Sequence, residues 1–463
     1  MIRVHSTLHR GMVPLETRDE GKLGMYVCGP TVQSEPHVGH GRSAVAFDVI
    51  RRYLAWRGLE VTFVRNITDI EDKIIAAAAE AGVGVEELAE EMTARFAETF
   101  EGLGVAKPDV EPKATEHIRE IIDLVARLMD RGLAYVANGD VYFSVRSLES
   151  YGKLSGRNPD ELRSGHRIEV DEAKHDPLDF ALWKAAKPGE PWWDSPWGPG
   201  RPGWHIECSA MATKYLGMGF DIHGGGTDLI FPHHENEIAQ SEGATGETFA
   251  RYWLHNGMVN LGGEKMAKST GLVVDLATII ETYGGRALRM LYLRAHYRSP
   301  IEYSEDLLTE ATEALDRLDR FRERVPPGMP DPEALERFQE AMDDDFGTPQ
   351  AVSLLFDLVR EGNRILDAGG DASNLAGAAQ VIVDVLGIDD AQGPTAGDLD
   401  VSEVAERFGV DSRGVDAIEA LVELRNRARA ERRFDEADAI REALASVGVL
   451  LEDGPDGTRW LRK

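Results

Sequence analysis

The sequence predicts an α/β protein that continues into a helical region and ends in a small α+β unit. Three observations carry that expectation. Residues 24–28 read as a short buried strand, apolar positions at helical spacing follow from about Gly39, and residues 59–64 are rich in β-formers, which makes one β-α-β unit with a parallel strand pair. A second α/β unit is expected at 220–223 (strand), 231–241 (helix) and 252–256 (strand). Beyond about residue 302 the apolar period is helical until the last few residues.

The elements follow in order. Gly58 ends the first helix, and Gly29 to Pro36 form the breaker-rich loop before it. Residues 72–103 and 115–132 read as helices, with Pro108 and Pro112 between them. The stretch 150–205 is dense in Gly, Pro, Trp and charge and reads as an irregular insertion. Glycines 224–226 form a turn, and 258–260 is strand-like. Leu307, Leu308, Ala311, Leu315, Leu318 and Phe321 mark a helix that stops at the Pro326–Pro330 run, and helices resume over 332–385. The acidic, Gly-rich stretch 387–400 reads as a linker. Helices at 414–431 and 435–447 and a hairpin turning at 453–457 close the chain. The expected domains are 1–302, with an insertion at about 100–210, a helical domain 303–386, a linker 387–402 and a terminal domain 403–463.

Composition narrows the function classes. The 463 residues carry a formal net charge of −30, so a polyanion is repelled at long range and any nucleic acid must meet a local basic patch. Arg425, Arg429, Arg432 and Arg433 fall at helical spacing, with Arg427 nearby; a solvated helix with pairs to Glu423 and Glu431 is the plainer alternative. The two cysteines, Cys28 and Cys208, exclude a disulfide framework. No apolar run approaches membrane-spanning length, and the first residues lack the apolar core of a signal peptide, so a reducing cytoplasm is the expected setting.

Three groups of residues carry chemistry. His37, Gly39 and His40 sit between strand and helix, where free N–H groups and the helix dipole favour phosphate; capping or core histidines fit the spacing equally well. Gly262-Gly263-Glu264-Lys265-Met266-Ala267-Lys268-Ser269 places two lysines three apart in a glycine-flanked loop, as a phosphate clamp or as a solvated surface loop. His233 and Glu237 lie four apart on one helix face, which suits a metal or a surface ion pair.

His37-Val38-Gly39-His40 resembles the His-Ile-Gly-His signature of class I aminoacyl-tRNA synthetases, and Lys265 to Ser269 resembles their Lys-Met-Ser-Lys-Ser loop, with Ala267 where Ser is usual. Residues 25–32, 66–74, 203–209 and 231–240 are similar to the cysteinyl-tRNA synthetases, and the resemblance spans the whole chain. It implies a Rossmann-type catalytic domain, a helical domain and an anticodon-binding end. It implies ATP-dependent activation of L-cysteine and transfer to cysteine tRNA, with Mg²⁺ accompanying ATP, by a chain that is commonly monomeric. Residue by residue, it implies catalytic roles for His37, His40, Lys265 and Lys268. It implies ATP contacts at His37, Gly39, His40, His223, His255 and Lys268, and an amino-acid pocket at Gly29, Thr68 and Trp204. It also implies one zinc on Cys28, Cys208, His233 and Glu237. Two rivals remain: a relative that joins cysteine to an amino-sugar inositol, and a non-enzymatic paralogue. Residues 403–463 speak against the first, and the intact signature residues against the second.

Overall fold

The parallel strand pair expected from the sequence is half of a four-stranded sheet. In the computed structural model the strands Ala250–Asn256, Phe220–Gly226, Lys22–Val27 and Glu60–Arg65 lie side by side in that order, all parallel. The structure describes residues 1–158, 160, 174–261, 264–265, 274–389, 391, 401–410, 414–447, 449–454 and 457–462. Strand Lys22–Val27 is Leu, Met, Tyr and Val, nearly all buried, as a strand covered on both faces requires. Its crossover is helix Val38–Trp56, which buries Val45, Phe47, Val49, Ile50, Tyr53 and Leu54 and ends at Arg57 before Gly58 turns the chain with φ 87°.

The first strand sends its crossover to one side of the sheet and Phe220–Gly226 sends its own to the other. The crevice beyond their carboxyl ends is therefore a topological switch point, the usual place for a ligand in an open parallel sheet.

Several elements depart from expectation. The supposed single helix over 72–103 is two, Asp72–Ala81 and Val85–Gly102, because Gly82 takes a left-handed φ of 72° and stops the first. The helix expected at 231–241 runs Glu235–Thr245; Phe231 is extended and Pro232 follows it in a wide turn over Ile230–His234. The stretch 150–205 is irregular over much of its described length but contributes Phe180–Ala185 and Gly200–Pro202, which join Ala134–Ala137 and Asp140–Phe143 in an antiparallel sheet over a core of Leu128, Phe143, Leu182 and Trp183. These short strands show no alternation of buried and exposed positions, so they carry no period of two to be read. A hairpin of Arg3–Ser6 with Gly11–Pro14 was also not expected.

The chain forms two compact units, Met1–Gly393 and Pro394–Lys463. Within the first, the helices Glu305–Arg324, Pro332–Asp343, Thr348–Asp367 and Ser373–Leu386 share one apolar core with the sheet domain. Tyr53 and Trp56 pack edge-on against Phe338 at 6.1 and 5.4 Å, so the expected division at 302/303 falls inside a continuous core. The second unit has helices Ser402–Arg407, Gly414–Ala430 and Phe434–Ser446 and the hairpin Val449–Gly454 with Gly457–Arg462. Ile418, Leu421, Ile440, Leu444 and Val449 fill its separate core. Most of the expected linker lies outside the described residues.

Candidate functional site

A cleft of about 330 Å³ opens at the switch point. Cys28, Gly226 and Asn256, at or just past three strand ends, form its floor, and His37, Gly39 and His40 at the start of the crossover helix form one wall. Gly29 and Trp204 also line it. Gly29 admits no side chain: a Cβ there would lie 1.6 Å from the Asn66 carbonyl oxygen, while its N–H donates to Asn66 Oδ1 at 2.9 Å.

Beside Cys28, the four donors named from the resemblance converge. Cys208 comes from helix Trp204–Leu216, His233 from the wide turn and Glu237 from the helix after it. One donor atom from each of Cys28, Cys208, His233 and Glu237 lies within 4.8 Å of all the others. The Cys28 thiol donates to Glu237 Oε1 at 3.2 Å, and His233 Nε2 stands 3.1 Å from the same oxygen. Burial, followed by the Cys208 and Glu237 neighbours, pushes the Cys28 thiol well above its ordinary range. Cys208 is stabilised by a hydrogen bond with Cys28, yet burial and Glu237 still raise it. Burial holds His233 well below the usual imidazole range, so it is neutral and able to ligate. His205 Nδ1 meets His233 Nδ1 at 2.8 Å, which leaves Nε2 facing the cluster. Two sulfurs, one imidazole nitrogen and one carboxylate oxygen, buried together, fit a borderline-soft divalent ion such as zinc.

His37 and His40 are tied to the backbone in a specific way. His37 is the helix N-cap and its Nδ1 accepts the Gly39 N–H at 3.2 Å; His40 Nδ1 accepts the His37 N–H at 3.1 Å. Their rings stack with centroids 3.7 Å apart. A nitrogen that accepts carries no proton, so each neutral ring holds its proton on Nε2 and offers a donor from the helix's positive end. Capping and anion binding, alternatives on spacing alone, are compatible here because they use different ring nitrogens.

Other expected residues lie elsewhere. His223 and His255 do not line the cleft. His223 is buried with Nε2 2.8 Å from Glu237 Oε2. His255 is buried between His234 Nδ1 at 2.8 Å and Thr7 Oγ1 at 2.7 Å, and burial pulls it down to about 3. Thr68 is buried and does not line the cleft, accepting from Asn66 Nδ2 at 3.3 Å. Trp204 stacks near His233, with ring centroids 4.2 Å apart, and Lys73 Nζ lies 5.7 Å from the Trp204 ring centroid. Lys265 belongs to the short strand Glu264–Lys265; Ala267 and Lys268 lie outside the described residues. Asn66 and His205, which hold Gly29 and His233, fall inside the 66–74 and 203–209 segments that carry the resemblance, but sequence reasoning gave them no role.

In the second unit the arginines do not share one helical face. Arg425 is buried and donates to Thr458 Oγ1 at 2.9 Å, and Arg429 is exposed near the helix end. Arg432 and Arg433 lie beyond that end, Arg432 at φ 62°, and Arg433 pairs with Glu431 at 2.7 Å and with Glu436. Arg427 pairs with Glu423 at 3.3 Å, as the plainer alternative has it.

Residues 14–313 match the family described as tRNA synthetases class I (C) catalytic domain, 337–388 the DALR domain and 414–460 the cysteinyl-tRNA ligase anticodon binding domain. A cysteine–tRNA ligase of Alkalilimnicola ehrlichii is 51% identical over 475 residues, and one of Shewanella loihica 49% over 470, each covering 100% of both chains. Among solved structures, Mycobacterium tuberculosis methionyl-tRNA synthetase with methionyl-adenylate is similar in fold at 17% identity and a TM-score of 0.57, covering 79% of this chain and 90% of that one. With half its residues shared across their full length and its catalytic and terminal regions both matched, the chain belongs to the cysteine–tRNA ligase family of class I aminoacyl-tRNA synthetases.

Proposed function

We propose that the chain activates L-cysteine with ATP, forming cysteinyl-adenylate and pyrophosphate, and transfers the cysteinyl group to the 3′ end of cysteine tRNA in the cytoplasm. The observation that carries this reading is the meeting of two sites at one cleft: Cys28 on its floor, which belongs to the Cys28, Cys208, His233 and Glu237 donor cluster, and the His37–Gly39–His40 turn on its wall. The cysteine carboxylate attacks the α-phosphorus. No protein nucleophile is required, and the residues position groups and stabilise developing charge.

His37 and His40 offer Nε2 donors to phosphate oxygens. Lys265 and Lys268 supply positive charge to the leaving pyrophosphate, with Mg²⁺ accompanying ATP. Gly29 and Trp204 border the amino acid, with Thr68 behind them. Cys28, Cys208, His233 and Glu237 would hold the zinc. Zinc bound there supplies a thiophilic Lewis acid that prefers a thiolate to a serine hydroxyl, which an apolar pocket separates by only ~10–200-fold. The second unit contacts the anticodon end of the tRNA.

Incubation with ATP, cysteine and either cysteine tRNA or glucosaminyl-inositol tests this reading. Cysteine-dependent pyrophosphate exchange with charging of tRNA is expected. Ligation to the amino sugar without charging would replace the tRNA reading, and no exchange at all would leave a non-enzymatic paralogue.

A further inference from the structure

Helix Val38–Trp56 carries the His37–His40 turn at its first residue, so the position of that end fixes where the two Nε2 donors point. One side chain from a distant helix grips it. The Tyr292 hydroxyl, on helix Gly285–Leu293, donates to the Val38 carbonyl at 2.7 Å, in a fully buried contact across 254 residues of chain. One turn further along, Arg42 closes the other half of the grip: its guanidinium donates to the Tyr292 carbonyl and, at 2.7 Å, to that of His296. Tyr292 is thus held at its ring end by Val38 and at its backbone by Arg42, two residues on one face of the signature helix.

The surroundings leave little room for another arrangement. A Cβ at Gly41 would come 3.0 Å from the Tyr292 hydroxyl and 3.1 Å from Leu276 Cδ1. Burial raises the Tyr292 phenol above its ordinary range, so the hydroxyl stays a donor, and lowers Arg42 to about 10, still cationic at neutral pH. Two turns further along, Arg289 of the same distant helix pairs with buried Asp48, so the helices are registered at both ends of their contact.

We propose that Tyr292 is a positioning residue for the reaction: through Val38 it sets the height and angle of the His37–His40 turn, and Arg42 keeps Tyr292 in place. The inference rests on the phosphate-facing reading of His37 and His40 given above. A neutral ring touching no substrate would then influence the chemical step through geometry alone, where a displacement of an ångström is costly.

The test is a cycle of four full-length proteins: native, Tyr292→Phe, His40→Ala and the double variant. Tyr292→Phe keeps the ring and its packing and removes only the donor. It should lower kcat for cysteine-dependent pyrophosphate exchange roughly tenfold while KM for cysteine stays within about twofold. In the His40→Ala background the same change should cost clearly less than in the native background, because one of the two donors being positioned is gone. Equal losses in both backgrounds, or no loss in the native background, would overturn the proposal. Gly41→Ala, which presses on the same hydroxyl and leaves Tyr292 intact, should repeat the kcat loss. Amide exchange at residues 38–42 is measured alongside and refers to no reaction. It should quicken in Tyr292→Phe, and unchanged exchange refutes the grip. If the native chain supports no cysteine-dependent exchange, the functional reading fails by itself and amide exchange alone decides on the grip.

Discussion

The donor cluster of the first unit and the arginines of the second handle charge in opposite ways. Cys28, Cys208, His233 and Glu237 are drawn from three separate segments and, apart from the half-buried Cys28, lie buried, and burial pushes both thiols and the imidazole toward their neutral forms. Arg427 and Arg433 stay exposed and are paired by acidic residues two to four positions away. The cluster gains from one specific ion, which replaces protons on groups with nowhere else to place charge. The exposed arginines already have partners, so exchanging a carboxylate for a phosphate yields little per residue and depends on salt. Under the proposed function, the buried cluster would select the amino acid and the exposed charge would contribute to binding the long polyanion.

Separating the two units gives the largest expected contrast. Removal of residues 394–463 leaves the core of the first unit whole, since the second has its own. Pyrophosphate exchange should stay within about twofold of native, whereas charging of tRNA should fall about a hundredfold or more as one of two linked contacts is lost. Equal loss of both activities would show that the second unit supports the chemistry as well. Next in size is Cys208→Ser. Zinc content should drop, and discrimination between cysteine and serine should collapse toward the ~10–200-fold of an apolar pocket. Full zinc occupancy with native selectivity would remove Cys208 from the ligand set.

Proton competition sharpens the same contrast. With both thiol pKa values raised, Cys28 and Cys208 are protonated in the metal-free protein at neutral pH, and His233, lowered, adds no proton there. Metal binding must release two protons, so affinity rises with pH and falls as pH drops. The expected slope is about a hundredfold per pH unit below neutrality, read by chelator competition. A slope near tenfold would mean that only one cysteine ligates.

How far the sequence reaches depends on what each feature requires. The parallel strands were legible because each holds a short apolar run, Met25-Tyr26-Val27 in Lys22–Val27 and Tyr252-Trp253-Leu254 in Ala250–Asn256. The His233–Glu237 pair was legible because four residues bring side chains together locally, whereas Cys28 and Cys208 meet only through the tertiary fold and were joined by resemblance alone. His223 and His255 were named as nucleotide contacts by resemblance alone; in the residues themselves a histidine near a strand end reads the same whether it faces the cleft or the core, and both are buried on hydrogen-bond partners. The arginine spacing misled for a related reason: the helical period continues in the sequence past Ala430, but the helix does not. Arg432 adopts a left-handed φ of 62° without the glycine that would have signalled it.

That stop in the helix sets the smallest prediction and the one that separates two kinds of arginine. Arg425 is 3% exposed and donates to Thr458 Oγ1, which ties helix Gly414–Ala430 to the terminal hairpin. Arg425→Ala removes that bond and opens a gap, while the Thr458 hydroxyl keeps its donation to Asn426 Oδ1 at 2.7 Å, and should destabilise the second unit by about 1–3 kcal/mol. Its effect on tRNA binding should appear as a lower melting temperature with an unchanged salt slope at temperatures where the unit is folded. Arg429 is exposed near the helix end. Arg429→Ala should lower melting less than Arg425→Ala, weaken tRNA binding uniformly and reduce the slope of log K against log salt by about one, if its charge meets a phosphate. The two variants are compared by thermal melting and by tRNA binding across a salt series. A flattened slope in Arg425→Ala would mean that the buried arginine swings out to the RNA, and the division between buried and exposed charge would not hold in this unit.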